Sequence, residues 1–146
     1  MVILSHGNAL NTLSFPRWSI LLIEADAELC SSRELLLESL YQPVDSVLCY
    51  RDLCALPPSV RCCVAALSIS RNKEEMYRIA AHVSTTWPVA KIFLLGGSAE
   101  GLKDYLYDEI VNPYCDPSAF VTMARELVEF VCICNRTSLW RLDERR

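Results

Sequence analysis

Two acidic residues, Glu24 and Asp26, stand immediately after an apolar run in this sequence. The run, residues 19–23 (S-I-L-L-I), is typical of a short strand that is buried on both faces of a parallel sheet. Ligands of open α/β sheets bind at the carboxyl ends of such strands, so chemistry would be placed here. Glu28 follows in the first turn of a helical segment, and Asp is a favoured helix cap. We therefore predict a solvated carboxylate at Glu24 and a helix cap at Asp26, rather than a metal site.

The other polar motifs give weaker signals for chemistry. Gly96-Gly97-Ser98 could cradle a phosphate ahead of a helix, but it lacks the GxGxxG or Walker spacing, which favours a plain tight turn. His6 and His82 have no Cys or Asp at the sequence spacing of a metal site or a catalytic triad. We predict that His82 is a partly exposed polar residue on a helix. These motifs predict neither a catalytic residue nor a bound cofactor.

The cysteines form no CxxC pair. Cys132 and Cys134 are two residues apart in a helical segment and would point about 200° apart, which is poor geometry for one zinc ion. A disulfide framework would need an export signal to support it. We predict free, buried thiols in a reducing cytosol and no metal site. The eight cysteines are Cys30, Cys49, Cys54, Cys62, Cys63, Cys115, Cys132 and Cys134.

Length and composition favour a single domain. The chain has 146 residues, of which 52% are hydrophobic, enough to build one core. The formal net charge of −4, without a basic stripe, argues against direct binding of nucleic acid. No apolar run approaches the roughly 18 to 20 residues of a membrane helix, and residues 1–17 lack the basic start of a secretory signal. We expect a cytoplasmic protein with an N-terminal extension (1–17), one domain (18–134) and a C-terminal tail that frays (135–146).

Strand-like and helical segments alternate along this domain. After the first strand we predict strands at 44–50, 61–68, 89–95 and 109–111. The predicted helices cover 27–40, 51–56, 71–85, 98–106 and a segment that starts at Asp116-Pro117. The alternation predicts βαβ units and a five-stranded parallel sheet in the flavodoxin-like order 2-1-3-4-5.

Apolar stripes predict which side of each helix faces the core. The first helix has leucines at spacings of seven and four, with Leu37 beside them, and the third and last helices have similar stripes. The predicted inner positions are Leu29, Leu36 and Leu40; Met76, Ile79, Ala80 and Val83; and Phe120, Ala124, Leu127 and Val131.

The order of these elements and several local motifs resemble the receiver domain of two-component response regulators (CheY-like), over about residues 18–130. The stretch I-L-L-I-E-A-D-A-E-L-C resembles the receiver opening, and V-A-A-L-S resembles the third strand, which delivers the phosphoacceptor Asp. The stretch K-I-F-L-L-G-G resembles the fourth strand, which ends in Thr or Ser, and I-V-N-P-Y resembles the end of the fifth, with its Lys-Pro. D-P-S-A-F resembles the start of the last helix.

The sequence departs from the receiver pattern at the positions that carry its chemistry. In receivers an acidic pair holds Mg²⁺ together with the acceptor carboxylate, and a hydroxyl and a Lys contact the phosphoryl group. The acceptor position falls on Ser68, or on Leu67 in a neighbouring alignment, and Glu109 takes the aromatic switch position. The resemblance also implies a cis peptide bond before the proline of the fifth-strand turn. The equivalent positions are Glu24, Ala25, Ser68, Gly96, Asn112 and Pro113.

These losses predict that aspartyl-phosphate chemistry is absent. Glu24 alone would leave most of the Mg²⁺ coordination to water, and Asn112 does not supply the charge of the Lys. Ser68 has no adjacent base, so we expect an unmodified hydroxyl at the end of a strand.

The resemblance therefore implies a non-enzymatic, receiver-like signalling module of a bacterial cytosol, a pseudo-receiver. We expect it to act on a protein partner or as a homodimer, through the face formed by the fourth helix, fifth strand and fifth helix, which Val128, Val131 and Ile133 would extend. The rival hypothesis is a small flavodoxin-like enzyme or cofactor-binding protein that uses the crevice at the strand ends. A flavin or nucleotide retained through purification would favour the rival.

Overall fold

The computed structural model describes residues 18–69, 72–96, 107–112 and 116–144, and side chains up to residue 134. The predicted extension at 1–17, the turn residues Gly97 and Ser98, the helix predicted at 98–106, and Pro113 with its predicted cis bond lie outside the described residues. Cys115 also lies outside them.

Five parallel strands form one sheet in the order β2-β1-β3-β4-β5. This order confirms the flavodoxin-like prediction. The strands are β1 (Trp18–Ile23), β2 (Val44–Val47), β3 (Arg61–Ser68), β4 (Lys91–Leu95) and β5 (Glu109–Val111).

Helices cover both faces of the sheet. They are α1 (Ala27–Glu38), α2 (Tyr50–Cys54), α3 (Lys73–Thr86) and the C-terminal helix (Pro117–Glu144). Alternate residues of the strands pack on opposite sides, so that Ile20 and Leu22 face α1 and the C-terminal helix while Leu21 and Ile23 face α2 and α3. The unbroken apolar run of β1 follows from this double burial.

The stripe predicted for α3 is confirmed, because Met76, Ile79, Ala80 and Val83 are all buried. Asn72 caps this helix by accepting a hydrogen bond from the backbone N–H of Glu75 at 3.0 Å.

The stripe predicted for α1 is wrong. The buried residues of this helix are Cys30, Arg33 and Leu37, whereas Leu36 is exposed and Leu29 is only half-buried. The helix is rotated so that an arginine, not a leucine, occupies the middle of its inner face. An arginine is tolerated there because its charge is paired with that of Glu24.

The C-terminal helix begins as predicted. Asp116 accepts a hydrogen bond from the backbone N–H of Ala119 at 3.2 Å, and Pro117 is the first helical residue. Phe120, Ala124 and Val131 are buried, in agreement with the predicted stripe. The helix continues to Glu144, past the boundary predicted at residue 135.

Candidate functional site

The register of the sheet brings four of the predicted site positions to one edge. Ile23 is paired with Leu67, Ser68 with Leu95, and Leu95 with Val111. The residues that follow these strand ends therefore line the same edge, since the carboxyl ends of parallel strands meet there. These positions are Glu24, Ser68, Gly96 and Asn112.

Glu24 follows β1 at this edge, and its carboxylate is buried. Only 5% of its surface is exposed, so the prediction of a solvated carboxylate is wrong. Its Oε1 accepts a hydrogen bond from Nη1 of Arg33, which is 4% exposed, and the two form an ion pair. Its Oε2 accepts a hydrogen bond from the backbone N–H of Asp26 at 3.0 Å. Both oxygens of Glu24 are thus engaged within the protein.

Arg33 also reaches Ser68, the residue that the resemblance to receivers places at the acceptor position. Its Nη1 donates to Oγ of Ser68 at 3.4 Å, a long and weak hydrogen bond. The guanidinium lies between the end of β1 and the end of β3. A positive charge from α1 therefore stands beside the residues where the receiver pattern would place a cation.

Sequence reasoning missed Arg33. The available signal was its position between Cys30 and Leu37, at spacings of three and four on a helix. A charged residue on an otherwise inward face indicates either a different rotation of the helix or a buried partner. A carboxylate directly after the preceding strand, Glu24, was the obvious partner.

The prediction that Asp26 caps α1 is confirmed. Its Oδ1 accepts hydrogen bonds from the backbone N–H groups of Glu28, at 2.9 Å, and Leu29, at 3.2 Å. The carboxylate thus satisfies two donors of the first helical turn. Ala25, between the two acidic residues, is exposed and supplies no oxygen from its side chain.

The space beside Gly96 is occupied by Ile69. A Cβ at position 96 would stand 2.7 Å from Cδ1 and 3.1 Å from Cβ of Ile69. The Thr or Ser of the receiver pattern therefore does not fit here unless Ile69 moves. The backbone is held at this point, since Ile69 N–H donates to Leu95 and Gly96 N–H to Val111, both at 2.9 Å.

Asn112 is half-buried at the end of β5, and its backbone carbonyl accepts a hydrogen bond from the N–H of Asp116 at 3.3 Å. Its amide side chain carries no net charge, so it does not replace a lysine at this edge. Glu109, which the resemblance to receivers places at the aromatic switch, is exposed.

The cavity that Ser68 itself lines is small. It encloses about 30 Å³ and is lined by Ala25, Ser68, Cys49 and Glu75, among others. Pockets for cofactor-sized ligands typically measure about 300–1,000 Å³, whereas this volume is close to that of one water molecule. This cavity does not favour the rival hypothesis of a cofactor site in the crevice.

Within the described ranges, no group of three or more His, Cys, Asp or Glu residues has the arrangement of a metal site. The described cysteines are all free thiols. Cys30, Cys62 and Cys63 are buried, as predicted, whereas Cys54 and Cys134 are exposed. No helix of the described part of the chain is long and apolar enough to cross a bilayer.

No protein-family model matches the sequence, and no curated protein matches it. Solved structures do match, and most of them are response regulator receiver domains. The BeF3-activated receiver domain of DrrB, a Thermotoga maritima protein, is 19% identical and has a TM-score of 0.65, over 77% of this chain and 98% of that one.

Two further structures show the breadth of the match. A CheY-like receiver domain protein from Methanospirillum hungatei is 15% identical with a TM-score of 0.67, over 79% of this chain and 96% of that one. A structure described as adenylate cyclase from Rhodopirellula baltica is 15% identical with a TM-score of 0.64, over 86% of this chain and 98% of that one. With its sheet order and these neighbours, the chain has the fold of CheY-like response regulator receiver domains.

Proposed function

We propose that this protein is a non-enzymatic pseudo-receiver, a signalling module that acts through protein contacts and is not phosphorylated on an aspartate. The observation that carries the proposal is the buried ion pair of Glu24 with Arg33. The guanidinium of Arg33 balances the charge of Glu24, the one carboxylate found at the positions matched to the receiver pattern.

The ion pair opposes the binding of a divalent cation. Mg²⁺ in proteins is bound through one or two carboxylates and needs near-ideal octahedral geometry. Glu24 is the only side-chain carboxylate at the matched positions, and Arg33 and the N–H of Asp26 already occupy its oxygens. A cation that displaced Arg33 from Glu24 would break a buried ion pair, which is costly.

The acceptor position opposes phosphoryl transfer in a second way. Ser68 carries a hydroxyl, which is a weak nucleophile unless a base removes its proton. Its described partner is Arg33, a donor that never serves as a base. Transfer also relies on neutralising the charge of the phosphoryl group at the reacting atoms, and Asn112 contributes no charge.

Incubation with acetyl phosphate and Mg²⁺ is therefore expected to leave the mass of the protein unchanged. Intact-mass spectrometry makes the measurement, with a receiver domain that keeps its acceptor aspartate as the positive control. Ser68→Asp is expected to remain unmodified as well, because Arg33 would still engage Glu24 and Asn112 would still lack a charge. A phosphate adduct that disappears in Ser68→Ala would contradict the proposal and identify Ser68 as the acceptor.

We also propose that the surface of β5 and the C-terminal helix is where the module contacts a second copy of itself. β5 is an edge strand of the described sheet, and Ile110, Phe130 and Ile133 expose 36%, 50% and 61% of their surface. Val128 and Val131, which the sequence assigned to this face, are buried instead. The helix predicted at 98–106 lies outside the described residues, so the proposal rests on the strand and the C-terminal helix.

Sedimentation equilibrium is expected to detect a dimer at high micromolar concentration. Phe130→Asp is expected to weaken the association by about tenfold or more, because an aromatic anchor contributes at least ~1–2 kcal/mol to an interface. Ser84→Asp, on an exposed position of α3, serves as the control for added charge. A protein that stays monomeric throughout this concentration range would overturn the homodimer proposal.

A further inference from the structure

Another cavity lies at the amino-terminal ends of the strands, at the opposite end of the sheet from the strand ends where Glu24 lies. It encloses about 360 Å³ between α2, α3 and the segment that enters β3. Arg61, the first residue of β3, lines it, which places the cavity at the amino ends of the strands. Its other walls include Leu53, Pro57, His82 and Trp87. The volume falls within the range of about 300–1,000 Å³ that is typical of small-molecule sites.

A thiol and an imidazole meet in this cavity. Sγ of Cys54, at the end of α2, stands 4.0 Å from Nδ1 of His82 on α3. Both residues line the cavity, and Cys54 is exposed. When Nδ1 is unprotonated it can accept the proton of the thiol, and the thiolate is the reactive form of cysteine.

Two aromatic rings contact the imidazole. The ring of Tyr50 meets it edge-on with a centroid distance of 6.1 Å, and the ring of Trp87 does so at 6.2 Å. Trp87 is itself anchored, since its indole N–H donates to the backbone carbonyl of Val60 at 3.0 Å. Contacts with two rings therefore restrict the position of His82 relative to Cys54.

Tyr50 gives the sulfur a second polar neighbour. A side-chain hydrogen bond between Tyr50 and Cys54 raises the pKa of the Tyr50 hydroxyl, as does the charge of the thiolate when it forms. The hydroxyl therefore stays protonated and is able to donate to the sulfur.

The other described thiols lack this environment. Burial raises the pKa of Cys62 and Cys63, so both remain protonated in the core and react poorly. Cys134 is exposed like Cys54, but among the described contacts it has no imidazole partner. It is therefore an internal reference thiol within the same molecule.

We propose that Cys54 is a thiol–disulfide exchange site for small acidic disulfides, with His82 as its proton acceptor. His82 takes the proton of Cys54, and the resulting thiolate attacks one sulfur of the small disulfide. A new bond forms between Sγ of Cys54 and that sulfur, and the original S–S bond breaks. The second sulfur leaves as a thiolate and takes up the proton from His82. The products are a protein mixed disulfide and one free small thiol.

The cavity favours an acidic disulfide over a cationic one. Arg61 is exposed on the cavity wall and offers a guanidinium to a carboxylate of the incoming molecule. Leu53, Pro57 and Trp87 provide apolar surface for its carbon skeleton. Oxidised glutathione, which carries several carboxylates, is a suitable acidic probe, and cystamine is a cationic disulfide for comparison.

The test measures which cysteine forms the mixed disulfide, and how fast. The folded protein is incubated with oxidised glutathione at neutral pH, quenched with acid at several times and analysed by peptide mapping with mass spectrometry. Cys54 is expected to be modified faster than Cys134. In His82→Gln the rate at Cys54 is expected to fall about tenfold, because the imidazole that accepts the proton of the thiol is then absent. The rate at Cys134 is expected to stay the same.

The ratio of the two rates reports on the chemistry at Cys54, and modification of the buried Cys62 or Cys63 would reveal partial unfolding of the variant. Arg61→Gln is expected to slow the reaction with oxidised glutathione but not the reaction with cystamine. The proposal is overturned if Cys54 reacts no faster than Cys134, or if His82→Gln leaves the ratio unchanged. Equal rates with the two disulfides, unaffected by Arg61→Gln, would overturn the preference for acidic molecules.

Discussion

Replacement of Arg33 by methionine is expected to lower the free energy of unfolding by about 3–5 kcal/mol. The substitution removes one partner of a buried ion pair and leaves the Glu24 carboxylate in the core without its cation. Methionine occupies a similar volume, so the cost is mainly electrostatic and not that of a cavity. This loss is a large part of the 5–15 kcal/mol that typically stabilises a domain. Urea unfolding followed by circular dichroism measures it.

The double variant Glu24→Gln/Arg33→Met is the matched control. It removes both charges, while the glutamine oxygen can still accept the hydrogen bond from the backbone N–H of Asp26. We expect it to recover most of the lost stability, because replacing a whole buried pair is often close to neutral. If the single variant unfolded at nearly the same urea concentration as the unchanged protein, the pair would not be buried in solution.

Phe120→Ala is expected to destabilise the fold by about 3–5 kcal/mol, the usual cost of deleting a buried aromatic ring. Phe120 is fully buried and packs against Phe93 of β4, with ring centroids 5.8 Å apart. Both rings belong to the part of the core that joins the C-terminal helix to the sheet. The variant should therefore loosen the docking of this helix. Urea unfolding gives the free energy, and hydrogen exchange of the helix amides shows where protection is lost.

Phe130→Ala, on the same helix, provides the comparison. This ring is half-exposed and lies under the ammonium of Lys91, whose Nζ is 5.2 Å from the ring centroid. A cation–π contact at an exposed site contributes about 0.5–1 kcal/mol, so we expect a loss of no more than about 1 kcal/mol. Similar losses for the two variants would mean that the helix does not dock on its Phe120 face.

The elements of the fold could be predicted because each has a local signature. The apolar run of β1 indicates that this strand is buried on both faces. The stripe of Met76, Ile79 and Val83 indicates which face of α3 is buried. Asp26 and Asp116 were identified as helix caps because a cap is a contact within a few residues of the chain. The same signatures predicted the sheet order, since alternating strands and helices admit few topologies.

The buried face of α1 was predicted wrongly because leucines at helical spacing are compatible with two rotations of the helix about its axis. The structure turns Cys30, Arg33 and Leu37 inward and leaves Leu35 and Leu36 exposed. Hydrophobicity alone favours the opposite rotation. The preference is reversed by an ion pair with Glu24, a contact that a pattern confined to one helix does not contain.

The order of the strands and the residues at their carboxyl ends could be predicted from the sequence, where the resemblance to receivers matches Ser68 to the acceptor carboxylate and Asn112 to the lysine. Packing was needed to establish that Glu24 is buried, that Ile69 fills the space beside Gly96, and that Arg33 joins Glu24 to Ser68. It also brought Cys54 to His82, although 28 residues separate them in the chain. Hydrophobic periodicity and helix caps involve residues that are close together in the chain, so a local sequence pattern reveals them. Contacts between distant residues depend on strand register and helix rotation, which are set only when the whole core packs.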